Sequence, residues 1–188
     1  MRMESTRKLF TADEVIRMAE AGIFGPEERI ELIDGEILEM APAGNRHVIC
    51  VNRATAFFTE AFGRRAIVSI QNVVHLNIHN MPQPDVVVFK PQADFYAAGP
   101  PTPADVCFLV EVSDTTLRRD RNVTLPRFAE AGIQEVWIED LKHDQILVYR
   151  DPAGRQYRSC QTLGPGDSIA PFALPETNFR VEDLLGPR

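Results

Sequence analysis

Val106-Cys107-Phe108-Leu109-Val110-Glu111-Val112-Ser113-Asp114 is the stretch that decides the fold. A run of Val, Leu and Phe with one acid set inside it reads as a strand buried on both faces. Upstream, Gln83-Pro84-Asp85-Val86-Val87-Val88-Phe89 has the same character and opens on an acid. A carboxylate at the end of a buried strand is costly unless something cationic meets it. Two carboxylates converging there repel each other, and a divalent cation is the usual remedy. The spacing therefore predicts adjacent central strands whose acids, Asp85 and Glu111, share one hard cation. The alternative is that each caps a strand end or pairs with a nearby arginine.

Working outward, 188 residues suit one domain, able to bury about two-thirds of the unfolded chain's surface. At 44% hydrophobic and 25% charged the composition is that of a globular protein, and no apolar run approaches the roughly 20 residues of a membrane span. Met1 to Lys8 carries charge without an apolar segment behind it, so a signal peptide is not expected. Cys50, Cys107 and Cys160 are far apart and form no C-x-x-C pair, which reads as buried thiols in a reducing, cytoplasmic setting. A net charge of −7 argues against a protein that coats nucleic acid. An enzyme with a local basic patch remains open, and Arg118-Arg119-Asp120-Arg121 with Arg127 is the clearest such patch.

Thr11 reads as the N-cap of a short helix ended by Gly22, and Asp34-Gly35 as the turn of a hairpin. Glu31, on the first arm of that hairpin, faces either solvent or the acid pair. Apolar positions from Val48 to Ala61 predict a helix over Asn45–Phe62 that ends at Gly63, with His47 at its start. Ala66–Ile70, Val73–Ile78, Glu135–Ile138, Gln145–Tyr149 and Arg155–Arg158 read as strands, and Arg118–Ala131 as a helix stopped by Gly132, in which Pro126 is tolerable only near the first turn. The Pro-rich stretch from Pro91 to Pro103 reads as a loop. His75 and His79 on a strand would be roughly 13 Å apart, too far to share a zinc ion. No G-x-G-x-x-G, Walker loop, G-x-S-x-G elbow or Cys–His signature is present, so a nucleotide cofactor is not expected.

In one order along the chain, Glu31-Leu32-Ile33-Asp34-Gly35-Glu36-Ile37, Met40 to His47, Pro82-Gln83-Pro84-Asp85, Val110-Glu111-Val112-Ser113-Asp114, Asp120, Ala131 to Ile138 and Tyr149 resemble the Uma2-like family of the PD-(D/E)xK nuclease superfamily. The resemblance runs from about residue 10 to 185. It implies a single mixed α/β (α+β) domain over 1–188, with a restriction-endonuclease-like central sheet flanked by helices, and loose termini at 1–9 and 186–188. It further implies metal binding by Asp85, Glu111, Glu31 and the carbonyl of Val112, with His47, Gln83, Ser113 and Asp120 as accessory residues. Oxygen donors of this kind suit Mg²⁺ or Mn²⁺. DNA is the implied substrate, and a homodimer the implied assembly by analogy with related folds.

The sequence departs from that pattern at the lysine. Ser113 stands two residues after the second acid, and Thr124 stands four after Asp120, where relatives carry the ammonium. A threonine cannot neutralise developing charge as an ammonium does. Arg121 is the nearest substitute in sequence; Lys90 and Lys142 are less well placed. Two readings follow: a Mg²⁺-dependent endodeoxyribonuclease, or a weak or inactive descendant that binds nucleic acid or a partner protein. A domain whose strand-end acids are only structural is the blandest third.

Overall fold

The computed structural model describes residues 6–187, so residues 1–5 and 188 of the expected loose termini lie outside the described residues. Within them, Arg7 pairs with Glu36, and the Phe10 amide donates to the Gly35 carbonyl at 2.8 Å. The N-terminal segment is thereby tied to the hairpin from residue 7 onward.

The acid-bearing runs form the centre of a six-stranded mixed sheet. In spatial order its strands are β3 (Ile67–Ile70), β4 (Val86–Phe89), β5 (Val106–Ser113), β6 (Glu135–Asp140), β7 (Gln145–Ala153) and β8 (Gln156–Leu163). All four residues of β4 are buried, as a doubly covered strand requires. β4 and β5 run antiparallel with Val86 opposite Val110, and continuing that register sets Asp85 opposite Glu111. β5 and β6 are parallel, so the chain must cross over between them.

Each face of the sheet has its own core. On one side pack α2 (Asn45–Phe62) and α5 (Val181–Leu185) with the short pair β9 (Ser168–Ile169) and β10 (Phe179–Arg180). Cys50, Ala54, Phe58 and Phe62 recur every four residues along α2, which buries one stripe of that helix. Phe58 lies edge-on to Phe108, Trp137 and Phe179, with ring centroids 5.3, 5.8 and 5.0 Å away. On the other side Phe128, Ile133 and Ile138 close a second core beneath the crossover. A third, smaller core joins α1 (Ala12–Glu20) to a separate hairpin of β1 (Ile30–Ile33) and β2 (Glu36–Glu39). The Thr11 capping box and the Asp34-Gly35 turn, with φ of 50° and 77°, are as the sequence predicts.

Three expectations need correction. Val73–Ile78 is not a strand, although Val74 and Leu76 point inward as the alternation requires. Its amides donate to the carbonyls of Pro82 and Asn80, and Pro82 has no N–H to return, so no ladder propagates. The distance argument against a shared zinc ion thus loses its premise; His79 Nδ1 instead faces the Phe10 carbonyl at 2.9 Å. Nor is Arg118–Ala131 one α-helix. It comprises α3 (Leu117–Arg119), a π turn over Asp120–Thr124 and α4 (Leu125–Glu130). Pro126 cannot donate to Asn122, and the Leu125 amide reaches back five residues to the Asp120 carbonyl. Lastly, only Cys50 is fully buried; Cys160, on the edge strand β8, is exposed.

Candidate active site

The carboxyl end of β5, the residues before β4, the start of α2 and the hairpin line a cavity of about 310 Å³. Asp85, Glu111, Glu31 and Asp120 all line it, together with His47, Gln83 and Val112; Glu39 and Asp114 are the other acids on its wall. The first four acids are brought there by four different segments: the residue before β4, β5 itself, the first arm of the hairpin and the π turn. Ser113 lies just beneath, fully buried.

Each of these four acids is held by named donors, Glu111 by the Asp85 backbone amide. Asp85 Oδ2 accepts the Val112 amide at 2.9 Å and faces His47 Nε2 at 2.9 Å, while Gln71 Nε2 approaches Oδ1 at 3.4 Å. Glu31, 3% exposed, accepts the Gln83 amide on Oε1 at 2.9 Å and pairs with Arg119 through Oε2. Asp120 Oδ2 accepts the hydroxyls of Ser113 and Thr116 at 2.5 and 2.6 Å. Burial pushes the Asp120 carboxyl up, against the pull of those two hydroxyls and of Arg119. For Glu111, burial and then the charges of Asp85, Asp120 and Glu31 raise its proton affinity well above that of an ordinary glutamate. That upward push is what a cluster of acids awaiting a positive charge should display.

The donors are hard oxygens. In chemistry they fit a divalent ion such as Mg²⁺ or Mn²⁺. Their geometry is not closed, however: among the described residues no three His, Cys, Asp or Glu side chains stand ready to hold a metal. Glu31 is the acid turned elsewhere, toward Arg119 and the Gln83 amide.

The structure does not bring Thr124, at the expected lysine position, or Arg121, its expected stand-in, to the cavity. Thr124 is buried in the π turn with its Oγ1 unpartnered, and does not line the cavity. Arg121 points the other way, into two surface clefts that it shares with Tyr149. Lys90 donates to the Ala104 carbonyl at 2.7 Å and is likewise outside.

Several residues went unread in the sequence. Arg119 sits in the cavity as one member of a basic patch whose members look alike until the helix is phased. Thr116 marked itself only by standing four residues before Asp120. Behind Asp85, Glu139 of β6 is fully buried with both carboxylate oxygens unpartnered, and burial followed by the Asp85 charge raises it to about 8. Its place in Trp137-Ile138-Glu139-Asp140 gave no warning, because a strand end normally leads into solvent.

With this geometry in hand, comparison with other proteins places the chain. A protein from Anabaena variabilis ATCC 29413, whose crystal structure is described as "a putative nuclease belonging to DUF820", matches the fold with a TM-score of 0.70. The two are 17% identical, over 94% of this chain and 97% of that one, so the likeness is one of fold. No protein of curated function matches the sequence. Residues 12–182 match the family described as "Putative restriction endonuclease". Spanning nearly the whole chain and every acid that lines the cavity, that match means that the protein belongs to the Uma2 family.

Proposed function

We propose that this protein is a nuclease, specifically a metal-dependent endonuclease that hydrolyses phosphodiester bonds in DNA. The observation that carries the reading is that the β4–β5 register, continued by one residue, sets Asp85 opposite Glu111 in a cavity that four further acids also line. Family membership and the shared fold support the nuclease class. Metal dependence, DNA as the substrate and the residue roles rest on the site's chemistry.

In this reading Asp85 and Glu111 hold the cation, with Glu31 and the Val112 carbonyl completing its oxygen set. The ion, when bound, supplies Lewis-acid polarisation of a phosphate oxygen and a nucleophile drawn from water near neutral pH. The chain's own groups do the rest. His47 and the Val112 amide fix the Asp85 carboxylate from two sides, so it need not reorganise as charge develops. Ser113 and Thr116 orient Asp120. Gly44 and His47 bring the N-terminal turn of α2 to the cavity wall, where free backbone amides favour a phosphate.

The second reading, a nucleic-acid or protein binding module of weak or no activity, is favoured by Thr124, which leaves the usual lysine place without a charge. Plasmid cleavage with Mg²⁺ and with Mn²⁺ separates them. We expect wild type to nick or linearise the plasmid and Asp85→Ala to lose at least about 10²-fold in rate, the order seen when one transition-state contact is removed. Equal, metal-independent inertness of both proteins would leave the binding module standing.

A further inference from the structure

One positive group inside the acidic cavity has no part in the mechanism above. Arg119, the last residue of α3, pairs with Glu31 while its own side chain stays 35% exposed. Among the described residues no lysine lines the cavity. Arg29 does, but its Nε and Nη2 both donate to Gln83 Oε1 at 3.1 and 3.0 Å. Arg119 is therefore, among the described residues, the one arginine or lysine there that contacts an acid of the proposed metal set.

We infer that Arg119 is an exchangeable cation of this site: it neutralises Glu31 in the metal-free protein, yields Glu31 to an incoming divalent ion, and is thereby freed to grip the scissile phosphate. Three observations carry this. Glu31 is buried and directs one oxygen at Arg119 and the other at the Gln83 amide, so the positive charge that a metal ion would bring to it is already supplied by the guanidinium. Among the described residues no ready three-ligand cluster accompanies that pairing. And Arg119, the residue just before the π turn, reaches from the β5–β6 crossover to the hairpin to make the pair. A guanidinium matches a phosphate through two parallel N–H donors, which Thr124 cannot offer. It stays protonated, so its work is charge and position and not proton transfer.

The phosphate half of this inference rests on the nuclease reading; the exchange with metal does not. The test compares wild type with Arg119→Met, Arg119→Lys and, as a charge control outside the cavity, Arg118→Ala. Mn²⁺ affinity is measured by calorimetric titration, plasmid cleavage under Mn²⁺ by rate, and folding by thermal unfolding. Removing a competing cation should tighten Mn²⁺ binding on the order of tenfold in Arg119→Met, within the usual range of coupling between two sites. The same variant should cleave about 10²–10³-fold more slowly, so metal affinity and rate move in opposite directions. Arg119→Lys should fall between on both readouts, and it carries the test should Arg119→Met fail to fold. Arg118→Ala should alter neither.

Unchanged or weakened Mn²⁺ binding in Arg119→Met overturns the exchange. Cleavage at the wild-type rate in that variant overturns the phosphate role and leaves the nuclease reading intact. A wild type that cuts nothing while Arg119→Met binds Mn²⁺ more tightly supports the exchange and overturns both the phosphate role and the nuclease reading.

Discussion

Glu139 is the residue whose environment is least like what its neighbours in sequence suggest. A fully buried carboxylate without a hydrogen-bond partner is stable only while it keeps its proton. Folding raises its pKa from 4.5 to about 8, through burial first and the Asp85 charge second. The sign follows directly. Below pH 4.5 both folded and unfolded chains hold the proton; between 4.5 and about 8 only the folded chain does, so stability falls as pH rises through that window. The slope approaches about 1.4 kcal/mol per pH unit at most. Glu139→Gln keeps the shape and removes the ionisation. Its melting temperature should pull ahead of wild type steadily from pH 4.5 to about 8, and parallel curves would show that Glu139 does not titrate in this way. At this scale Asp85 and Glu111 were legible because an acid inside an apolar run is an anomaly. Glu139 was not, because it follows Trp137 and Ile138 at what looks like an ordinary strand end.

Among elements, the crossover between β5 and β6 governs which side chains reach the cavity. Periodicity predicts its helical character correctly, and Pro126 hints at an irregularity. Where a proline's missing donor widens a turn, and by how much, depends on the sheet above and cannot be read from spacing. Arg119 faces the cavity and Arg121, two residues on, faces away from it, as the helical period requires. Thr124 occupies the same π turn as Asp120 but is only 2% exposed, with its hydroxyl unpartnered. Thr124→Lys should therefore cost stability, about 1–3 kcal/mol for an overfilled site. If the ammonium reaches the acids, plasmid cleavage should speed up despite that loss. A lower melting temperature with no gain in rate would place position 124 out of register with the lysine of related chains.

The whole molecule depends on a joint between the sheet and the C-terminal segment. Glu135, fully buried, accepts Trp137 Nε1 at 2.8 Å, Arg150 Nε at 2.9 Å, Arg150 Nη2 at 2.6 Å and the Phe172 amide at 2.5 Å. Arg150 also donates to the Ala170 carbonyl at 2.7 Å. Removing one partner of a buried pair strands the other, so Arg150→Ala should lower stability by about 3–5 kcal/mol in denaturant titration. The apolar pair Glu135→Met with Arg150→Leu should recover much of that loss. Should Arg150→Ala unfold at the wild-type midpoint, water must already reach Glu135. The strand sequence and two-sided burial of this sheet were legible from the start. The joint was not, since it ties residues 135, 150 and 172 through contacts with no local signature.

The hairpin of β1 and β2 stands apart from the main sheet. It is fastened by the bridge of Leu32 to Met81, by the Gly35 amide on the His79 carbonyl at 2.9 Å, by the Asp34 amide on Asn80 Oδ1 at 2.9 Å, by Arg127 on Asp34, and by Glu31 on Arg119 and the Gln83 amide. Glu31 belongs to this small piece, whereas Asp85 and Glu111 belong to the large one. Proteins breathe in cooperative patches of unequal strength. An opening confined to the hairpin would carry Glu31 away from Asp85 and Glu111 with the six-stranded sheet still paired, a change that probes of the whole fold would register only weakly.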